Sequence, residues 1–221
     1  MKYSVIMPSF IRESSHIPVV EATIASVREK SKDYEFIIVD DGSLIGSSVL
    51  RSSADTYIRH TPPNRGIAPS WNDGLRVARG DFKAVINDDI LVPREWLEKL
   101  SQGLTVGVSA PKNGYREGEH TYKWYPGYCF MVTQQTLDQV GYFDEQFVPF
   151  NFEDLDYWTR VLKEGLPMIR ADFEIWHKEG DVLHKLDYDG VSKKNHELFI
   201  KKHNFDPQPV FFGDAPFPKD R

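Results

Sequence analysis

The stretch that decides the fold is Asp81-Phe82-Lys83-Ala84-Val85-Ile86-Asn87-Asp88-Asp89-Ile90. Residues 82–86 are mostly apolar and partly β-branched, so they read as a buried strand. Polarity then changes abruptly at Asn87-Asp88-Asp89. Two adjacent carboxylates at a strand end repel one another unless a cation or water separates them. Carboxylate and amide oxygens are ligands of hard divalent cations such as Mg2+ or Mn2+. In open α/β sheets, ligands bind beyond the carboxyl ends of the strands. The stretch therefore reads as a metal-diphosphate site or as a solvated loop with two ordinary acids. The rest of the chain decides between the two.

Upstream, residues 3–7 read as a buried first strand stopped by Pro8, with Ser9-Phe10-Ile11-Arg12 as the loop at its end. Residues 17–30 carry Val20, Ile24 and Val27 at helical spacing. Residues 34–39 form a second strand that runs into Asp40-Asp41-Gly42-Ser43, a sharp turn expected to leave a carboxylate pointing out of the strand end. Residues 55–60 read as a short third strand. Residues 67–79 read as a helix between Gly66 and Gly80, with Pro69 tolerated in the first turn. Asn72 lies within that helix, where its amide needs a partner. The order β-α-β-(short α)-β-α-β predicts a mostly parallel α/β sheet with a nucleotide crevice at its carboxyl edge. Neither a G-x-G-x-x-G after the first strand nor a G-x-x-x-x-G-K-[ST] is present. Without a glycine-rich phosphate cradle, a metal at the Asp pair is the natural way to neutralise a diphosphate.

The bulk numbers agree with one domain, or one domain and a small appendage, in 221 residues. Apolar residues make up 40%, enough for a substantial core. Lys and Arg number 27 against 33 Asp and Glu, a net charge of −6, which argues against a generally basic nucleic-acid binder. The single cysteine, Cys129, excludes an intrachain disulfide and lies in an apolar run, where a buried, inert thiol is expected. The N-terminal apolar run is too short for a signal peptide. No run of ~18 apolar residues occurs. A soluble, cytoplasmic protein is the expectation.

In the second half, residues 93–100 suit a helix and 104–110 a strand, with 111–119 as a loop. Residues 122–132 are rich in aromatics: Phe130 and Met131 read as core, whereas Trp124 and Tyr125, with Gly127 beside them, read either as packing or as a platform on which a sugar stacks. Thr133 is a plausible N-cap for a helix over 133–140. Glu153, Asp154 and Asp156 cluster at a helix start, where the macrodipole alone can stabilise them; the alternative is a general base. Residues 167–170 and 172–176 read as short strands. Residues 191–203 form a helix whose Lys193, Lys194, Lys201 and Lys202 read as a solvated face, or as a seat for a phosphate-rich partner. The tail, 204–221, is expected to pack across the body or mediate a homodimer rather than form regular structure.

Met7-Pro8-Ser9-Phe10, Val39-Asp40-Asp41-Gly42-Ser43, Asn64-Arg65-Gly66 with Asn72 and Gly80, and Asn87-Asp88-Asp89 together resemble the nucleotide-sugar half of the GT-A glycosyltransferases of the large family-2 type. The likeness runs from about residue 3 to about residue 203. It implies a single catalytic domain over 1–203, with a nucleotide-binding half (1–90) and an acceptor and catalytic half (91–203). It also implies inverting transfer of a sugar from a nucleoside diphosphate sugar, UDP favoured, assisted by Mn2+ or Mg2+. By this likeness Pro8, Ser9 and Phe10 border the base and ribose, and Asp40 hydrogen-bonds the base. Arg12, Asn64, Gly66 and Asn72 belong to the same donor half. Asn87-Asp88-Asp89 stands where the family carries D-x-D, with Asp89 as metal ligand and Asp88 near the ribose or the metal's water shell. Gly141-Tyr142-Phe143-Asp144-Glu145-Gln146-Phe147 looks like the segment before the family's catalytic loop. The E-D motif then implies Asp154 as general base, with Glu153 as the runner-up for that role or as a residue orienting the acceptor. His177, in an H-x-x-G setting, would complete the metal shell, and His184 is the other candidate. Two departures stand out: Asn87 occupies the first D-x-D position, and Ile11 replaces the usual Asn of the first loop.

Two rivals remain at this level. A nucleotidyltransferase also uses Mg2+ and acids, but residues 8–12 lack its basic glycine-rich loop. A non-catalytic sugar-nucleotide binding module has no need of a base, which the acids at both Asp88-Asp89 and Glu153-Asp154 argue against. The acceptor is open: a saccharide, a glycan precursor, a protein or a nucleobase in DNA, the last requiring a basic face that the net acidity disfavours.

Overall fold

In the computed structural model, residues 1–112, 125–178, 188–212 and 217–218 are described. The apolar runs build the centre. β1 (Tyr3–Ser9), β2 (Tyr34–Asp40) and β4 (Phe82–Ile86) are buried along almost their whole lengths, as parallel strands covered on both faces must be. β1 pairs in parallel with β2, Ser9 opposite Asp40, and with β4, Ile6 opposite Val85. β3 (Thr56–Arg59) continues the sheet beyond β2. On the far side of β4 come β7 (Cys129–Thr133), β6 (Val108–Pro111) and β8 (Met168–Ala171). The full order is β3-β2-β1-β4-β7-β6-β8. β7 runs antiparallel to both its neighbours, and every other pairing is parallel.

The chain lays down β1, β2 and β3 outward in one direction, then returns to place β4 on the other side of β1. The sheet order reverses between β1 and β4, so Ser9 and Asn87, at the two strand ends, open on one crevice. Helices cover both faces. α1 (Ile17–Lys30), α2 (Ser47–Ser53) and α4 (Trp96–Ser101) pack on one face around Val5, Met7, Phe36 and Ile86. α3 (Ile67–Val77), α5 (Gln134–Val140), α6 (Glu153–Lys163) and α7 (Tyr188–His203) pack on the other around Ile6, Val85 and Phe130. The second core is aromatic: Phe130 meets Trp71 and Trp158 edge-on, and Phe143 stacks on Tyr157 at 4.2 Å. Each such side chain, fully buried, contributes about 1.5–3 kcal/mol.

A two-stranded ribbon, β5 (Ile90–Leu91) and β9 (Trp176–His177), leaves the sheet just past the acid turn, with Ile90 opposite His177. Thr133 caps α5, its hydroxyl accepting from the Thr136 amide, as its position implies. Cys129 is buried and desolvation raises its thiol pKa.

Several expectations are corrected. The strand expected over 104–110 begins only at Val108, because Gly107 turns the chain at φ 95° against the Pro167 carbonyl. Residues 172–175 are loop rather than strand, with Phe173 and Ile175 filling the core. In the tail, Gln208–Phe212 winds into a π-helical turn, so it does form regular structure, and Phe211 joins the second core. Lys202 is no solvated lysine: it lies 2.6 Å from both Asp144 and Asp156. Among the described residues no helix is long and apolar enough to cross a membrane.

Candidate active site

At the carboxyl edge the acid turn is held from three sides. Ser9 Oγ donates to Asp88 Oδ2 at 2.5 Å, Thr23 Oγ1 of α1 donates to the Asp88 carbonyl at 2.9 Å, and the Asn87 amide donates to the Tyr128 carbonyl at 2.9 Å. Burial, and then the charge of Asp89 beside it, push the Asp88 carboxyl up to about 7. The β5–β9 ribbon brings in His177. The Lys178 amide donates to the Asp89 carbonyl at 2.8 Å, and His177 Nε2 lies 3.1 Å from Asp89 Oδ1. The His177 ring rests on Tyr128 at 4.4 Å.

This pair fits a hard divalent cation. Asp89 Oδ1 is buried without a hydrogen-bond partner, an unfavourable state unless something else satisfies it. The 3.1 Å between Asp89 Oδ1 and His177 Nε2 matches the roughly 3 Å edge of an octahedron with bonds of about 2.1 Å. No cluster of three His, Cys, Asp or Glu side chains suited to a metal is found among the described residues. His184, the other candidate, lies outside the described residues, as does Trp124.

Along the β1 and β2 ends, the residues assigned to the donor have distinct surroundings. Pro8 and Ser9 are buried, Phe10 and Arg12 half-buried, and Arg12 presents a buried guanidinium nitrogen with no hydrogen-bond partner. Ile11, the departure in the first loop, is a core residue whose amide bonds Ser43 Oγ at 2.9 Å. The Asp40-Asp41 turn does not leave a carboxylate pointing outward, because both acids turn inward. Asp40 accepts from the Ser43 amide, Tyr57 Oη and Arg59. Burial alone would raise its pKa, but the hydrogen bonds of Tyr57 and Ser43 outweigh that and hold it below the ordinary range. Asp41 accepts from the Arg65 and Gly66 amides and meets His60 Nδ1 at 2.7 Å; His60 Nε2 lies 3.0 Å from Asp73. The Asp41 hydrogen bond raises the His60 pKa, as expected for a ring with a carboxylate at each nitrogen. This Asp41-His60-Asp73 chain, buried at Asp41 and His60, had no signal in the sequence.

Asn64 is exposed. Gly66 sits at φ 106°, and a Cβ there would meet the Pro149 carbonyl at 2.9 Å; only glycine lets the donor-half loop lie on the loop before α6. Asn72 has its partner: its amide brackets the Phe143 backbone at 2.9 Å on both sides and donates to Glu145 at 2.8 Å. It thus ties α3 to the segment leading into the acid cluster, and its polar atoms face protein rather than the crevice.

α6 begins with Glu153, Phe152 being its N-cap in the left-handed region with no side-chain cap. Glu153 is buried and its Oε2 has no hydrogen-bond partner. Burial, then repulsion from Asp154, raise its pKa well above the ordinary value. Asp154 is half-buried, its Oδ1 accepts from the Leu155 amide at 2.7 Å, and burial brings its pKa up to about 6. Asp156 has a different role, pairing with Arg160 at 2.9 Å and with His203 at 2.8 Å. Gly127 lies against Asp154: a Cβ there would stand 2.6 Å from Asp154 Oδ2. Its neighbour Tyr128 is the residue under His177. Two consecutive residues thus touch the acid of α6 and the Asp89-His177 pair, which brings the two motifs together. Tyr125 is held by protein, its hydroxyl donating to the Met168 carbonyl and its carbonyl accepting from Trp158 Nε1.

The fold is of the GT-A type, as in the mannosyltransferase PcManGT from Pyrobaculum calidifontis solved with GDP-Man and Mn2+ (TM-score 0.69, 19% identity, 97% of this chain and 66% of that one). S. aureus TarS 1–349, solved with UDP-GlcNAc, has the same fold (TM-score 0.66, 15% identity, 90% of this chain and 67% of that one). The chain belongs to glycosyl transferase family 2, whose sequence model matches residues 4–158. It is similar to the pre-mycofactocin glycosyltransferase of Mycobacterium tuberculosis, at 26% identity over 161 residues, 58% of this chain and 34% of the relative. The chain spans only 24% and 34% of the lengths of the first curated relatives it matches.

Proposed function

We propose that this chain catalyses metal-dependent, inverting transfer of a sugar from a nucleoside diphosphate sugar, UDP favoured, to an acceptor hydroxyl. The observation that carries the reading is the Gly127-Tyr128 pair, which touches Asp154 on one side and His177 on the other. A base and a cation site side by side suit a displacement in which one face of a carbon is attacked while a diphosphate leaves.

Asp89 and His177 would hold Mn2+ or Mg2+, which when bound supplies positive charge to the departing diphosphate. Arg12, with its unpartnered guanidinium nitrogen, adds a fixed positive charge in the donor half. Ser9 orients Asp88. Asp154, ionised above about pH 6, takes the proton of the acceptor hydroxyl as that oxygen bonds to the anomeric carbon and the bond to the diphosphate oxygen breaks. Glu153, held neutral by burial and by its neighbour, donates a hydrogen bond to the acceptor rather than competing for its proton. Family membership and relatives named as glycosyltransferases support the transfer; the GDP-Man and Mn2+ in one neighbour and UDP-GlcNAc in another support the donor class and the metal. A DNA acceptor has less support, since Lys202 is already engaged by Asp144 and Asp156.

The test is release of nucleoside diphosphate from a panel of UDP-, GDP- and dTDP-sugars, with and without Mn2+, by wild type, Asp89→Ala and Asp154→Asn. Metal-dependent release from one donor, lost in Asp89→Ala, is expected. No release and no metal-dependent binding of any donor would remove the catalytic reading.

A further inference from the structure

We propose that Asn195 of α7, beyond the stretch that the family model covers, is the positioning residue that holds the Phe150-Asn151-Phe152 loop and thereby aims Asp154. The inference rests on the reading of Asp154 as the base. The loop has an unusual backbone: Asn151 and Phe152 both sit at φ 71°, side by side in the left-handed region. For L-residues that conformation is strained, because Cβ crowds the following carbonyl. Asn tolerates it, whereas Phe seldom does. No side chain caps the helix start, so the usual side-chain support of such a turn is missing. A strained conformation persists only when its surroundings over-determine it.

One helix supplies side-chain contacts to all three residues. Asn195 Nδ2 donates to the Phe150 carbonyl at 2.7 Å and to the Asn151 carbonyl at 3.0 Å, using both amide hydrogens. The next residue, His196, stacks on the Phe152 ring at 5.3 Å and 25°. Phe199, one turn on, lies tilted against the same ring at 6.1 Å. Three consecutive loop residues are therefore gripped by one face of α7, immediately before Glu153 and Asp154. Asn195 is fully buried, and with Phe199 and His203 it forms the inward stripe of the helix at four-residue spacing. An amide on an apolar stripe is unfavourable unless its hydrogen bonds justify it. Asn195 Oδ1 has no hydrogen-bond partner, so the two donated bonds are what this side chain contributes.

The test combines kinetics with amide hydrogen exchange on Asn195→Ala, the double variant Asn195→Ala/Asn151→Gly, and His196→Ala. Asn195→Ala should lower kcat about ten-fold or more, since a misaimed base is that damaging. With kcat referred to the folded fraction measured by thermal unfolding, its KM for the donor and its affinity for the nucleoside diphosphate should stay within about two-fold, since the donor half is untouched. Exchange over residues 150–156 should rise. Glycine at 151 carries no penalty in the left-handed region, so the double variant should regain part of the lost kcat. The proposal is overturned by a folded Asn195→Ala with wild-type kcat, by equal losses in kcat and donor affinity, by unchanged exchange, or by a double variant no faster than the single one. Should Asn195→Ala fail to fold, His196→Ala carries the test: raised exchange over the same segment supports the clamp and unchanged exchange refutes it. If wild type transfers no sugar, the exchange experiment still judges the clamp, and only the reading of Asp154 falls.

Discussion

Gly127 packs directly against Asp154: a Cβ on the glycine would stand 2.6 Å from Asp154 Oδ2 and 3.1 Å from its Cβ and Cγ. A methyl group there forces the carboxylate to turn. Gly127→Ala is therefore expected to lower kcat about ten-fold or more while the donor KM changes little. Steady-state rates, with thermal unfolding as a control for folding, decide it; an alanine variant with wild-type kcat would show that the carboxylate's direction is immaterial.

The pH dependence follows from the same residue. Asp154 must be ionised to accept a proton, and burial brings its pKa up to about 6. kcat/KM should rise with unit slope below about pH 6 and level off above it. Stability runs the other way. An acid whose folded pKa is raised binds more protons folded than unfolded between about pH 4 and 6, so folding stability falls as pH rises through that window. Asp154→Asn should lose the rate limb and gain stability at neutral pH, by at most about 3 kcal/mol and less where solvent screens the half-buried carboxylate. Urea midpoints at pH 4 and pH 7 test the sign: no gain at pH 7 relative to pH 4 refutes it.

Asn72→Ala should destabilise by about 2–4 kcal/mol, because it leaves the Phe143 amide and carbonyl buried without their side-chain partner. The loss is expected in denaturant midpoints. Nucleotide affinity measured on the folded fraction should change little, since the Asn72 amide faces the 143–145 segment. A large loss of affinity at unchanged stability would return Asn72 to the donor site.

Asp156 anchors α7 to α6 through Lys202 and His203, and pairs within α6 with Arg160. Burial favours its neutral form, but the His203 hydrogen bond and then the Arg160 charge outweigh it, so its pKa is lowered. Its contribution is thus present above the ordinary carboxyl range and lost as pH falls through its folded pKa. Removing it takes one partner from each of Arg160, Lys202 and His203. Asp156→Ala is expected to cost about 3–5 kcal/mol at neutral pH and to free α7, seen as raised amide exchange over 188–203. Unchanged stability would mean that the apolar stripe around Phe199 holds the helix alone.

Residues whose environment is local were readable in advance. The β-branched runs of β1, β2 and β4, the N-cap at Thr133 and the helix from 17 to 30 follow from periodicity and turn chemistry within a few residues. The two acid motifs were found because adjacent carboxylates at strand and helix ends are conspicuous by composition. The inward turn of Asp40 and Asp41 leaves no signal in their own segment, because their partners, Tyr57, Arg59 and His60, come from β3 and the residue after it. Lys202 was misread for the same reason, its acids lying on other elements.

By itself, then, the amino-acid order determined a mostly parallel α/β sheet and the residue types that cluster at its carboxyl edge, because burial and hydrogen bonding along one segment are set by that segment. Only the tertiary structure decided which groups meet. The β5–β9 ribbon brings His177 to Asp89; Gly127 leaves room for Asp154; Asn195 reaches the loop from a helix far along the chain. Each is a contact between surfaces contributed by distant elements, and the packing that closes such contacts depends on the whole fold rather than on any one stretch.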